Sequence, residues 1–135
     1  MTRYAIDALT AIRIVREGVP TLERHQLVAP KSLQGHAMSR LYREVRGGTL
    51  EREVARQILD GITTMRIRLL GDRVSRGHAW RIAEELDWDD IGYAEYIAVA
   101  KLQSDAFVCL DGSLASDAQR FVALAPYEAL FEAGD

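Results

Sequence analysis

Two acids stand where chemistry could be done. Asp7 closes the apolar run Tyr4-Ala5-Ile6, and Asp111 closes Ala106-Phe107-Val108-Cys109-Leu110. A carboxylate at the C-terminal end of a buried strand points into the crevice where open α/β sheets place their ligands. Each Asp also has a plainer use as a helix N-cap, a position this residue favours. For Asp7 that helix would begin near Ala8. The repetition of the pattern tips the balance towards a shared site. The single cysteine, Cys109, lies in an apolar run with no histidine close in sequence, so it reads as a buried thiol and not a nucleophile. Arg40, Arg43 and Arg46 fall three apart and line one side of a helix, as a row of phosphate contacts or as a solvated face interleaved with Glu44. Arg76 and Arg81 could add to such a row. Trp80 and Trp88 read as packing residues, and His25 and His78 as surface residues.

The elements that must position these residues follow from periodicity. A strand ends at Ile6, and a helix over 8–16 carries Ala8, Ile12 and Val15 at helical spacing before Gly18-Val19-Pro20 stops it. A helical turn at 21–25 would use Thr21 as cap, with Glu23 in its first turn. Leu27-Val28-Ala29 is a second strand closed by Pro30. A helix over 31–46 follows, then one capped by Thr49 with Glu51 and Glu53 in its first turn, ending near Gly61. The alternation in 65–70 suits an edge strand. Helices are expected over 74–86 and 91–102, the latter capped by Asp89 or Asp90. Strands follow at 106–110 and 121–125, with a short turn after Asp111-Gly112 and a terminal helical turn at 127–132. Strands alternating with helices predict an α/β fold with a mainly parallel sheet.

The 135 residues fit one domain spanning 1–135. Hydrophobic content of 48% and charged content of 27% are ordinary for a soluble globule. No apolar run nears the length of a bilayer span, and MTRYAID lacks a signal-peptide pattern. One cysteine excludes an intrachain disulfide, so the cytoplasm is the expected location. The net charge of −3 argues against binding nucleic acid through bulk charge. Fifteen of the seventeen basic residues are nevertheless Arg, the residue suited to bidentate phosphate contacts, although codon composition would give the same bias.

Three stretches together resemble the PIN domain, the fold of the VapC-type toxins of toxin–antitoxin pairs. They are Ala5-Ile6-Asp7-Ala8, Leu27-Val28-Ala29-Pro30 with the helix after it, and Ala94-Glu95-Tyr96-Ile97-Ala98-Val99-Ala100 followed by Phe107-Val108-Cys109-Leu110-Asp111. The resemblance implies a three-layer α/β/α sandwich and a metal-dependent endoribonuclease whose four acids hold Mg²⁺ or Mn²⁺. The metal would activate water and neutralise charge on the scissile phosphate. Asp7 matches the first acid of the family and Asp111 the last. The second family acid falls on His36 and the third on Tyr93, so two of the four are replaced. Imidazole is a poor Mg²⁺ ligand, and a phenol is uncharged at neutral pH. Asp90, one helical turn before Tyr93, is the substitute acid on this reading, with Asp89 and Asp117 behind it.

The resemblance thus implies an RNA substrate, a small antitoxin partner and a homodimer, with no membrane and no DNA cleavage. The dimer would use the early helices, where Leu41, Tyr42 and Val45 lie beside Ile58, Leu59 and Ile62. Two readings compete. One is a ribonuclease using Asp7, Asp111 and Asp90 around a weakly held metal. The other is a catalytically inactive PIN-fold module that binds RNA or protein, and the two missing acids argue for it. A sensing or scaffold role on the same fold is a third.

Overall fold

A computed structural model describes residues 1–18, 20 and 24–132. It is an α/β structure built as a three-layer, PIN-like α/β/α sandwich. Four parallel strands, β1 (Thr2–Ile6), β2 (His25–Pro30), β3 (Ile67–Leu70) and β4 (Ala106–Val108), form the central sheet. The strand order is β3-β2-β1-β4. Tyr4 of β1 pairs with Leu27 on one side and Ala106 on the other, so β1 is central, as its apolar run predicts. The chain first winds from β1 to β3 and then returns to the opposite side with β4. The strand order therefore reverses between β1 and β4, the switch point where open α/β sheets form a crevice.

Six α-helices flank the sheet among the described residues: α1 (Ala8–Glu17), α2 (Leu33–Arg46), α3 (Arg52–Thr64), α4 (Arg73–Glu85), α5 (Ala94–Gln103) and α6 (Gly112–Ala118). α1, α2 and α3 pack on one another, while α5 packs directly on β1 and β2 and against α4. Ala94 and every residue from Tyr96 to Ala100 are buried, because α5 is covered by the sheet and by α4. Such a helix is apolar all round. Each fully buried Ile or Val there contributes about 1.5–3 kcal/mol.

The sequence-based boundaries need correction in several places. Thr49 does not cap α3. Its amide and hydroxyl both donate to the Glu44 carbonyl, closing the turn after α2, and Glu51 takes the cap position. Gly61 does not end α3 but lies inside it, facing Val15 of α1. Asp89 and Asp90 do not cap α5. The chain turns at Gly92 with φ +44°, the helix starts at Ala94, and Tyr93 holds the N-cap position.

The expected strand 121–125 is a single parallel bridge, Phe107 with Leu124. The amides of Phe121 and Val122 still donate back to Ala118, and Pro126 has no amide to extend the ladder. The terminal turn is a 3₁₀ helix, Tyr127–Phe131. Cys109 and Leu110 lie just beyond β4. His25 is buried, not on the surface: its Nε2 lies 2.8 Å from the Glu132 carbonyl oxygen. Leu41, Ile58 and Ile62, expected to supply a dimer face, are core residues instead. The expected turn at 21–25, with Thr21 and Glu23, lies outside the described residues except for its last two positions.

Candidate functional site

The crevice forms where β1 and β4 end side by side. Asp7 leaves β1 and caps α1, its carboxylate accepting from the Thr10 amide at 3.0 Å. Asp111 leaves the β4 run and caps α6, its Oδ1 accepting from the Leu114 amide at 3.1 Å. The structure brings both acids, His36, Arg40, Arg43 and Tyr93 to one small cavity of about 70 Å³, completed by Ala8, Leu9 and Leu114. Arg46 and Asp90 are exposed and do not line it. Asp89 and Asp117 do not line it either.

Asp7 is only 3% exposed, and its carboxylate is filled from within the fold. Oδ1 accepts from the amides of Thr10 and Leu110 and from the Thr10 hydroxyl. Oδ2 accepts from the Asp111 amide at 3.0 Å and faces the Cys109 thiol at 3.5 Å. The hydroxyl also reaches the Val108 carbonyl oxygen at 3.1 Å, and the thiol reaches that of Asp111 at 3.4 Å. A carboxylate has about four lone-pair sites. Three amides and a hydroxyl are directed at them, and the Cys109 thiol is shared with the Asp111 carbonyl. Asp7 is therefore a tie between the start of α1 and the end of β4, closed across more than a hundred residues. Burial, then the Asp7 charge, push the Cys109 thiol far above its ordinary value, so it remains a donor and not a nucleophile.

The replaced positions form an aromatic cluster. His36 lies 4.8 Å from Tyr93 and 5.5 Å from Tyr96, ring centroid to centroid. The Tyr96 hydroxyl is 2.9 Å from His36 Nδ1. Burial first, and the Asp7 charge second, raise Tyr96 far above the usual phenol range. The phenol is thus neutral, and with the imidazole proton on Nε2 its hydroxyl donates to Nδ1. Desolvation lowers His36 below the ordinary imidazole range, opposed by the charge of Glu95. On the positive side, Arg40 donates to Glu44 at 3.3 Å, and Glu44 also meets Arg16 at 3.8 Å.

A divalent metal does not fit these donors. The best placed carboxylate, Asp7, already accepts three amides and a hydroxyl from the fold, and two guanidinium groups line the same cavity. Among the described residues, no three His, Cys, Asp or Glu side chains are grouped so as to hold a metal ion. Asp7 and Asp111, with the two positions His36 and Tyr93 that the resemblance aligned with family acids, line one cavity together with Arg40 and Arg43, while Thr10, Tyr96 and Cys109 beside them were not among the candidates. Two signals were available: Thr10 sits three residues after Asp7, at the cap-bonding position, and Tyr96 sits one helical turn after Tyr93.

The His36 shift has a sign that can be checked. A histidine whose folded value is lowered contributes stability that is present above its unfolded value and is lost as pH falls through its folded value. Protonation also removes the acceptor that Tyr96 uses. Wild type is therefore expected to lose more melting temperature between pH 7 and pH 5 than His36→Gln does. Equal losses in thermal melts of the two proteins would show that His36 is not the group responsible.

No protein-family model matches this chain, and no curated protein matches it. No helix of the described residues is long and apolar enough to cross a membrane.

Proposed function

We propose that this chain is a VapC-like member of the PIN family whose crevice binds RNA without hydrolysing it. One observation carries the proposal. The place where the family gathers four acids here presents two arginines, an imidazole and a phenol beside two carboxylates, one of them filled by internal donors. Arg40 and Arg43 supply phosphate contacts. Tyr93 is 39% exposed and backed by His36, so it offers a ring for an unpaired base. The chain then acts in the cytoplasm, where its RNA ligand is found.

The first test is calorimetry with Mg²⁺ and Mn²⁺, together with anisotropy of a labelled oligouridylate. We expect no metal binding at millimolar concentration and no cleavage with Mn²⁺. RNA binding should weaken as salt rises, because condensed counterions are released. The double variant Arg40→Glu, Arg43→Glu should bind at least about tenfold more weakly. Mn²⁺-dependent cleavage that disappears in Asp7→Asn and in Asp111→Asn would overturn the proposal and restore a hydrolase.

A further inference from the structure

The stretch 66–81 concentrates positive charge in a chain of net charge −3. It holds Arg66, Arg68, Arg73, Arg76 and Arg81 and a single acid, Asp72. Asp72 is committed as the N-cap of α4, accepting from the Ser75 amide at 2.9 Å. None of the five guanidinium groups donates a hydrogen bond or closes an ion pair among the described residues, although Arg76 lies close enough to Asp72 to act on it electrostatically. Arg13 of α1 and Arg56 of α3 behave differently, each bound to an acid on its own helix.

Trp80 sits in the middle of this charge and is 62% exposed. Its sequence suggested packing, and the structure places it outside. It follows Arg76 by four residues and Arg73 by seven, so the three share one face of α4, with Arg81 adjoining. Gly77 lies one turn before Trp80, and a Cβ there would meet only Arg81 Nη1, at 3.7 Å. The cation–ring pairs of the described residues are Arg13 on Tyr127 and Arg120 on Phe121, so no guanidinium covers the Trp80 ring.

An open aromatic face flanked by free cations is the arrangement that holds single-stranded nucleic acid: bases stack without regard to sequence, and arginines follow the backbone. An apolar partner would leave Arg73, Arg76 and Arg81 with only the helix's own Asp72, Glu84 and Glu85 as nearby acids and none of them bonded to the guanidinium groups, whereas a polyanion matches all three. We infer that the outer face of α4 binds single-stranded nucleic acid, stacking a base on Trp80 and holding the flanking phosphates with Arg73, Arg76 and Arg81. The ligand class follows the proposed RNA-binding role, but the surface is separate from the crevice.

The test uses the full chain carrying Trp88→Phe, so that Trp80 is the single indole, and a labelled oligouridylate as probe. We expect RNA to quench Trp80 emission, and Trp80→Ala to weaken binding by about tenfold. Arg73→Glu with Arg76→Glu should weaken binding further. RNA binding with no quenching and no effect of Trp80→Ala overturns this inference and leaves the crevice reading standing. Quenching and loss at Trp80, with Arg40→Glu and Arg43→Glu neutral, supports this inference and removes the crevice reading. Absence of any RNA binding removes both. Quenching by polyglutamate but not by RNA would make α4 a surface for an acidic protein and overturn the inference. Trp80 and the three arginines are exposed, so circular dichroism of each variant should match wild type.

Discussion

Asp7→Asn is expected to destabilise this protein by about 3 kcal/mol, a drop of about 10 °C in melting temperature at this chain length. The substitution keeps the shape and removes the charge. It also turns one acceptor oxygen into an NH₂ group facing donors. If Asn Oδ1 keeps the amides of Thr10 and Leu110, its NH₂ meets the Asp111 amide and the Cys109 thiol. A buried donor left without an acceptor costs about 1–3 kcal/mol, and bonds to a charged acceptor are the stronger kind. Relief from burying a charge works in the opposite direction. Here the carboxylate is already solvated by the fold, so the lost bonds win. The sign discriminates between roles. In a metal centre without its metal, clustered carboxylates repel, and neutralising one of them raises stability. Urea denaturation of wild type and Asp7→Asn decides: a more stable variant would mean that Asp7 is held for chemistry and not for structure.

Gly61→Ala should cost about 2 kcal/mol, against the usual direction of such a change. Inside a helix, Ala normally exceeds Gly in stability by about 0.5–1 kcal/mol, because glycine loses more backbone freedom. At Gly61 an added Cβ would stand 2.5 Å from Val15 Cγ1 and 3.2 Å from Cγ2. Valine in a helix has one strongly preferred rotamer, so its methyl groups cannot swing away cheaply. The alternative is for α1 and α3 to separate, which loosens Ile58 and Ile62 beneath them. A double-mutant cycle with Val15→Ala isolates this contact. Val15→Ala is expected to recover most of the loss, and a stabilised Gly61→Ala would show that the two helices have room between them.

The features legible in the sequence were those whose cause is local. Tyr4-Ala5-Ile6, Leu27-Val28-Ala29 and Ala106-Phe107-Val108 were recognisable as strands because a parallel sheet covered on both faces demands short continuous apolar runs. Asp7 and Asp111 were recognisable as neighbours for the same reason. The features that were not legible depend on contacts across the chain. Nothing near Gly61 announces Val15, so a helix-interior glycine looked like a stop. Asp89 and Asp90 are ordinary caps by type, but Gly92 turns the chain and moves the helix start to Ala94. The run 121–125 has strand composition, yet a proline follows it and its first residues are still bonded into the end of α6. Trp80 looked like core because tryptophan usually is, and its neighbours in space, not in sequence, left it exposed.

The strand order carries a consequence for synthesis. β1 is made first, and its second neighbour, β4, is made last. While the ribosome works through the intervening residues, β2 and β3 can assemble on one side of β1, but the other side remains an open edge of Ala5 and Ile6. The Asp7 carboxylate likewise lacks Leu110 and Asp111 until they emerge. Contacts this distant in sequence slow folding, and unpaired edges invite association between nascent chains. Of all the segments, β1 thus has the longest need of protection by a chaperone.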